Sequence, residues 1–461
     1  MTELKMTPDQ NLSRRSLAAV WHPCTQMARA AVVPPLAIAR GEGAWLFDDQ
    51  GQRYFDANSS WWVNLFGHAD RAINDAIKQQ LDTLPHVMLA GCTHAPAVEL
   101  AERLSALTGG ALGHTFFASD GASAVEIALK MSFHSWRNLG LAEKSEFVCL
   151  RHGYHGETIG ALAVTDVAVF RDAYDPLLMR AHVVASPDSR LGLQQEALAL
   201  ADLRRCLTER RGRVAALIIE PLVQCAAGMA MHEPSYLRAV RALCDEFEVH
   251  LIADEIAVGC GRSGTFFAFE QSFDDEENAG WPDFVTLSKG ISGGTLPLSL
   301  VLTTEAVYQS FWSEEVGRGF LHSHSYTGNA LACAAANAVL DRFERGAVLA
   351  KNRQQAADLA TAFAPFGQDA RVQHLRQRGM ILAFDVRPEL LGSRFSERFH
   401  LAARRRELLM RPIGGTVYLM PPYLIDAATA QFLFEAVKAS LDEVLSEMPE
   451  VASGAETNHV A

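Results

Sequence analysis

Residues 249–260, VHLIADEIAVGC, and residues 283–294, DFVTLSKGISGG, each read as a short apolar run that stops at a polar or charged residue. Val249 to Ala253 ends on Asp254, and Phe284 to Leu287 gives way to Ser288, Lys289 and a glycine-rich turn. Runs this short, bounded by polar and glycine residues, predict strands buried on both faces. Working outward, the same reading predicts strands at Thr115 to Ala118, Phe147 to Leu150, Ala215 to Ile219 and Leu298 to Thr303. Helical-period segments lie between or after them, at Ala122 to Trp136, Ser235 to Phe247 and Gly328 to Phe343. That alternation predicts an α/β fold with a parallel sheet covered by helices.

After about residue 345 an Arg- and Gln-rich helix is followed by Met380 to Val386 and Val417 to Met420, which predicts a smaller C-terminal α+β domain. Residues 1–20 and 447–461 are expected to be flexible ends, and the acidic segment 274–278 a surface loop. No internal repeat is present.

The 461 residues, 49% hydrophobic and 21% charged, match a folded chain of two or three domains and argue against disorder and coiled coils. The net charge of -13 argues against a nucleic-acid partner, while leaving room for a local pocket for a small anion. The apolar stretches 214–223 and 330–340 are interrupted by Glu220 and Asn337, so no membrane span is expected. With Asp9, Arg14 and Arg15 and no apolar h-region, the N-terminus does not resemble a signal peptide, and a cytoplasmic location is expected. The eight cysteines contain no Cys-x-x-Cys, so neither a zinc cage nor a disulfide framework is predicted, and most read as buried thiols.

Ligands of open α/β sheets sit at the carboxyl ends of the strands. Three places there carry chemistry. Asp254 is a carboxylate that needs a cationic partner if buried; as plain structure it would be a helix cap or ion pair. Lys289 is the only one of seven lysines that closes a strand in a glycine-rich turn. A desolvated amine there suits Schiff-base chemistry, and the bland alternative is a solvated loop lysine. Ser119-Asp120-Gly121-Ala122-Ser123 joins a strand to a helix, so its amides can cradle a phosphate. Together they supply the three anchors of pyridoxal phosphate: an aldehyde-binding amine, a partner for the ring nitrogen and a phosphate cup.

Two other motifs compete. Gly259 to Gly264 fits G-x-G-x-x-G, but an aromatic run follows where a dinucleotide site needs a helix. Gly290 to Gly294 fits G-x-S-x-G, which keeps open a serine hydrolase using Ser292 with His322 or His324 as base, although a strand follows instead of a helix. No G-x-x-x-x-G-K-[ST] is present.

With these residues in place, the chain resembles the class III, fold type I, pyridoxal-phosphate aminotransferases from about residue 20 to about residue 445. Trp21-His22-Pro23-Cys24-Thr25, Ser59-Ser60-Trp61-Trp62, Thr93-His94-Ala95-Pro96, Gly153-Tyr154-His155-Gly156, Asp254-Glu255-Ile256-Ala257 and Tyr418-Leu419-Met420-Pro421-Pro422-Tyr423 carry the likeness. It implies a large domain, 71–345, with a mainly parallel seven-stranded sheet, and a small domain assembled from 21–70 and 346–446. Within the class the likeness is to the branch that moves an amino group from S-adenosylmethionine to 8-amino-7-oxononanoate in biotin biosynthesis. It also implies a homodimer with active sites at the interface.

The resemblance implies that Lys289 holds the cofactor and is the catalytic residue. Asp254 would keep the ring nitrogen protonated, Tyr154 would stack on the ring or face substrate, and Gly121, Ala122, His324 and the partner's Ser325 would serve the phosphate end. Cys24, Trp61, Tyr154, Lys289, Ser323, Arg411 and Tyr418 would line the substrate pocket, with Arg411 gripping a carboxylate. On residue type alone, Tyr154 is equally a half-buried loop residue, the tryptophan pair core, and Arg411 a solvated arginine beyond the run Arg404 to Arg406. Two positions and one segment depart from the family pattern. Cys24 replaces a frequent tyrosine, Ala122 a common serine, and His322-Ser323-His324-Ser325 a Gly-Pro-Thr segment after the first histidine. Cys24 keeps open a class III enzyme that uses lysine or another ω-amino donor.

Overall fold

The computed structural model describes residues 11–273 and 280–446; the expected acidic loop at 274–278, the first ten residues and the tail at 447–461 lie outside the described residues. Seven strands make the central sheet: β1 (His114–Ala118), β2 (Glu146–Leu150), β3 (His182–Val184), β4 (Val214–Ile219), β5 (His250–Asp254), β6 (Phe284–Leu287) and β7 (Ser299–Thr303). Their order is β1-β7-β6-β5-β4-β2-β3, with β7 alone antiparallel to its neighbours. Every residue of β4 to β7 is buried, which explains why these strands read as continuous apolar runs without alternation.

Helix Gly121–Asn138 covers one face, packing Val125, Ala128 and Leu129 into a cluster with Ala215, Ile218, Ile252 and Val301. Helices Pro234–Glu246 and Ala330–Gly346 contribute Val240, Leu243 and Ala335 to the larger cluster that holds Leu217, Leu251 and Val285. The last of these helices starts two residues later than expected. Gly328 takes a left-handed backbone at φ +62, and the Asn329 side chain accepts the Ala332 amide at 3.1 Å to cap it.

Strands Ile38–Glu42, Trp45–Asp48 and Arg53–Asp56 form an antiparallel sheet that Leu408–Leu409 joins in parallel, so one sheet draws on both ends of the chain. Val372–Arg378, Ile381–Val386 and Thr416–Leu419 form a second antiparallel sheet. Helices Val348–Phe363 and Ala427–Ser446 pack against it through Phe363, Leu433 and Val437. The N-terminal segment differs from the expected frayed end, because Leu12–Ala19 is helical. The Asn11 side chain caps it by accepting the Arg14 amide at 2.9 Å, and Ser16 bonds His22 at 3.0 Å. Among the described residues, no helix is long and apolar enough to cross a membrane.

Candidate active site

Strands β5 and β6 run parallel with Asp254 opposite Thr286, so Asp254 and Lys289 leave the sheet at the same edge. Asp254 is buried and held on both oxygens. Oδ1 accepts from the Thr286 hydroxyl at 3.2 Å and the Ile256 amide at 3.1 Å, and Oδ2 lies 2.7 Å from His155 Nδ1. It is therefore no helix cap; its cationic-capable neighbour is His155, itself buried with Nε2 unpartnered. Lys289 opens a short turn, Lys289–Ser292, at φ +44, a left-handed backbone that a non-glycine residue holds only under constraint. Its Nζ lies 4.8 Å from the centre of the Trp62 ring. Burial pushes its amine below the usual range, while Cys225, Asp254 and Glu220 pull the other way. The solvated-loop reading of Lys289 is thereby set aside.

A fourth strand end contributes a residue the sequence reading passed over. Glu220 directly follows β4, is only 4% exposed, and accepts the Tyr154 amide on Oε2 and the Cys225 amide on Oε1, each at 3.0 Å. Burial pushes its carboxyl up to about 7, against the opposing pull of His155. The signal is in the sequence, since Glu220 is a polar residue closing an apolar strand like Asp254, and not only the break in an apolar stretch. His155 sits inside the Gly153–Gly156 motif, where sequence alone gives it no partner.

Tyr154 is half-buried, its hydroxyl donating to Glu157 Oε1 at 2.9 Å and its ring 5.3 Å from that of Phe170. Burial raises the Cys24 thiol, the charge of Glu157 raises it further, and that of Arg411 lowers it, so these groups share one neighbourhood. Asn58 ties the far wall together, its side chain accepting from the Arg411 amide at 3.0 Å and donating to the Tyr418 carbonyl at 3.3 Å. The Tyr418 hydroxyl accepts from Trp62 Nε1 at 3.1 Å. Trp62 is thus the member of the pair that meets Lys289, whereas Trp61 is 55% exposed at φ +72.

At the turn 119–123, Asp120 accepts the Ser123 amide at 3.0 Å and its hydroxyl at 2.8 Å. The Gly121 and Ala122 amides directly follow the Asp120 cap, in the first turn that a helix's own carbonyls do not reach. The turn is close-packed: a Cβ on Gly121 would lie 3.1 Å from Ile256, and one on Gly156 only 2.6 Å from Ala122 Cβ. An amine of lowered basicity, a buried carboxylate and uncapped helix amides fit pyridoxal phosphate's aldehyde, ring nitrogen and phosphate.

Ser323 and Ser325 are exposed, and His324 is half-buried. His322 lies 3.2 Å from His324 and 2.8 Å from Lys130 Nζ, against helix Gly121–Asn138. The site residues of the chain's own sheet edge are not among these partners. The hydrolase constellation is absent: the Ser292 hydroxyl donates to the Leu296 carbonyl at 2.6 Å, and both histidines are engaged elsewhere. The G-x-G-x-x-G run is a packing junction, with Arg262 buried among carbonyls of Pro421 and Asn64 and stacked 4.9 Å from the Tyr423 ring. No group of His, Cys, Asp and Glu able to hold a metal occurs among the described residues.

The family model described as aminotransferase class-III matches residues 26–441. Among curated relatives, adenosylmethionine-8-amino-7-oxononanoate aminotransferase of Helicobacter pylori is 41% identical, over 96% of this chain and 99% of its own length. The protein of the same name from Anoxybacillus flavithermus is 37% identical, over 95% and 96%. Among solved structures, the enzyme of that name from Methanocaldococcus jannaschii superposes with a TM-score of 0.88 at 32% identity, over 94% of this chain and 98% of that one. An amine transaminase from an uncultivated Pseudomonas species, in its PLP-bound form, gives 0.85 at 30% identity, over 92% and 99%.

Proposed function

The chain belongs to the class III aminotransferases, and from that premise we propose that it transfers an amino group from S-adenosylmethionine to 8-amino-7-oxononanoate, yielding 7,8-diaminononanoate for biotin biosynthesis. Its cofactor is pyridoxal phosphate and its fold that of the PLP-dependent transaminases. The observation that carries the reaction class is the pairing of Lys289 and Asp254 at the ends of adjacent parallel strands, with Trp62 beneath the amine. The substrate pair rests on relatives of that name spanning nearly the whole chain.

When bound, pyridoxal phosphate supplies an aldehyde for the amine and a ring that accepts the electron pair left on carbon as a proton departs. Each remaining task falls to the chain. Lys289 Nζ would hold the aldehyde and would serve as the base that moves a proton on and off the substrate carbon. Asp254, its oxygens fixed by His155 and Thr286, presents a carboxylate to the ring nitrogen. The Gly121 and Ala122 amides bind phosphate at the positive end of their helix. Tyr154 would stack on the ring or face substrate, and Arg411 would offer a two-pronged grip to a substrate carboxylate.

Cys24, Trp61, Ser323 and Tyr418 complete the pocket in this reading, and His324 and Ser325 serve the phosphate of a partner subunit. In this reading the chain is a homodimer with shared sites, acting in the cytoplasm without a nucleic-acid partner, its net charge of -13 disfavouring a polyanion. The test is the visible absorption of cofactor-loaded protein before and after S-adenosylmethionine, beside Lys289→Ala. Bleaching by S-adenosylmethionine supports the proposed donor. Bleaching only by lysine or another amine reassigns the donor, and absorption of the lysine-bound form persisting in Lys289→Ala overturns the role of Lys289.

A further inference from the structure

Away from the sheet edge, a buried charge cluster joins the small-domain sheet to the large domain. Asp385, on strand Ile381–Val386, accepts on Oδ1 from Arg376 at 2.9 Å and the Thr416 hydroxyl at 2.7 Å; Oδ2 meets His374 at 3.1 Å and Arg190 at 3.5 Å. The side chains of Arg376 and Asp385 are only 8% and 14% exposed. Arg190 is itself bidentate with Asp188. Burial of so many charges is costly unless each is met, and here the two guanidinium groups are also met by backbone.

That backbone is what gives the cluster a function. Arg190 donates to the Ala227 carbonyl at 3.0 Å, and Arg376 to those of Gly228 at 2.5 Å and Met229 at 2.8 Å, so successive carbonyls of one loop are gripped. Gly228, at φ +68, lies so close to the small-domain sheet that a Cβ would fall 2.6 Å from Thr416 Oγ1. The same loop closes on itself through the Met229 amide and the Cys225 carbonyl at 3.1 Å, and the Cys225 amide holds Glu220, whose other oxygen holds the Tyr154 amide. On the small-domain side the register slips between Gln373 and Arg376, with His374 at φ +52. Such a bulge re-aims side chains, here bringing His374 and Arg376 together onto Asp385.

We propose that Asp385, Arg376 and Arg190 are positioning residues: a latch that carries the placement of the small-domain sheet through loop 225–229 and Glu220 to Tyr154. The inference rests on the reading of Tyr154 as a substrate- and cofactor-facing residue. None of the three touches the reacting atoms, so loosening them shifts Tyr154 without removing any chemical group.

The test uses cofactor-loaded full-length protein carrying Asp385→Asn, Arg376→Lys or the milder Thr416→Val, which deletes one hydroxyl and serves if the charge variants fail to fold. Hydrogen exchange of the Tyr154 amide and of residues 225–229 is expected to quicken about tenfold or more in each folded variant, with amides of β5 unchanged. The KM for substrate is expected to rise about tenfold while kcat falls less than about threefold. Unchanged exchange at Tyr154 in folded Asp385→Asn or Thr416→Val overturns the latch. Tyr154→Phe separates the two readings. If it leaves KM and kcat unaltered while Asp385→Asn still quickens exchange at Tyr154, the role of Tyr154 fails and the mechanical coupling stands.

Discussion

Replacing Glu220 by Gln tests the electrostatics behind Tyr154 and Asp254. The carboxyl is buried, and desolvation moves it from an ordinary 4.5 to about 7. At about 1.4 kcal/mol per tenfold change in proton affinity, that displacement amounts to about 3 kcal/mol. The direction follows from who holds the proton. Between pH 4.5 and about 7 the folded chain keeps it while the unfolded chain has released it, so the carboxyl favours folding in acid. Its contribution is complete below pH 4.5, declines as pH rises and is gone above about 7.

Glu270, pushed up to about 7, and Glu255, pushed up to about 8, titrate over overlapping ranges, so the difference between wild type and Glu220→Gln isolates the one group. Gln cannot accept on both sides, and one of the Tyr154 and Cys225 amides loses its partner, a constant penalty of about 1 to 3 kcal/mol. Urea unfolding of both proteins from pH 4.5 to 8 should therefore show the wild type's advantage shrinking by about 3 kcal/mol across that range. The infrared difference between wild type and variant should carry a protonated carboxylic acid band that disappears near pH 7. A stability difference that stays constant over the whole range would refute the reasoning.

Other outcomes follow from the same geometry. His155→Phe leaves Asp254 Oδ2 without its 2.7 Å partner, and cofactor dissociation constants at pH 8 should rise by about 10- to 100-fold, as for loss of a hydrogen bond to a charged group. Gly156→Ala places a Cβ 2.6 Å from Ala122 Cβ on a backbone at φ +121; thermal unfolding should show a loss of about 1 to 3 kcal/mol, with weaker phosphate binding in a pyridoxal-phosphate titration. Ser292→Ala removes only a bond to a carbonyl, so transamination rates should stay within about threefold of wild type, and a total loss would revive Ser292 as nucleophile.

Strand and helix patterning alone placed most of the central sheet, because strands buried on both faces must be apolar throughout and stop where polar chemistry starts. It also placed Lys289, Asp254 and the Gly121 turn, since each is local: a residue type at the end of a strand or the start of a helix. The three-residue strand β3 escaped notice because so short a run carries no period, and its place is fixed by pairing with β2.

What tertiary structure decided was company. The sequence motifs contained His155 and Trp62, and Glu220 closed an apolar run, but that the first holds Asp254, the second underlies Lys289 and the third holds the Tyr154 amide depends on segments far apart in the chain meeting at one sheet edge. The same holds for Asp385 with Arg190, separated by nearly two hundred residues. Sequence records which side chains are available, while burial settles which of them must find partners, because a charge withdrawn from water is stable only where another group meets it.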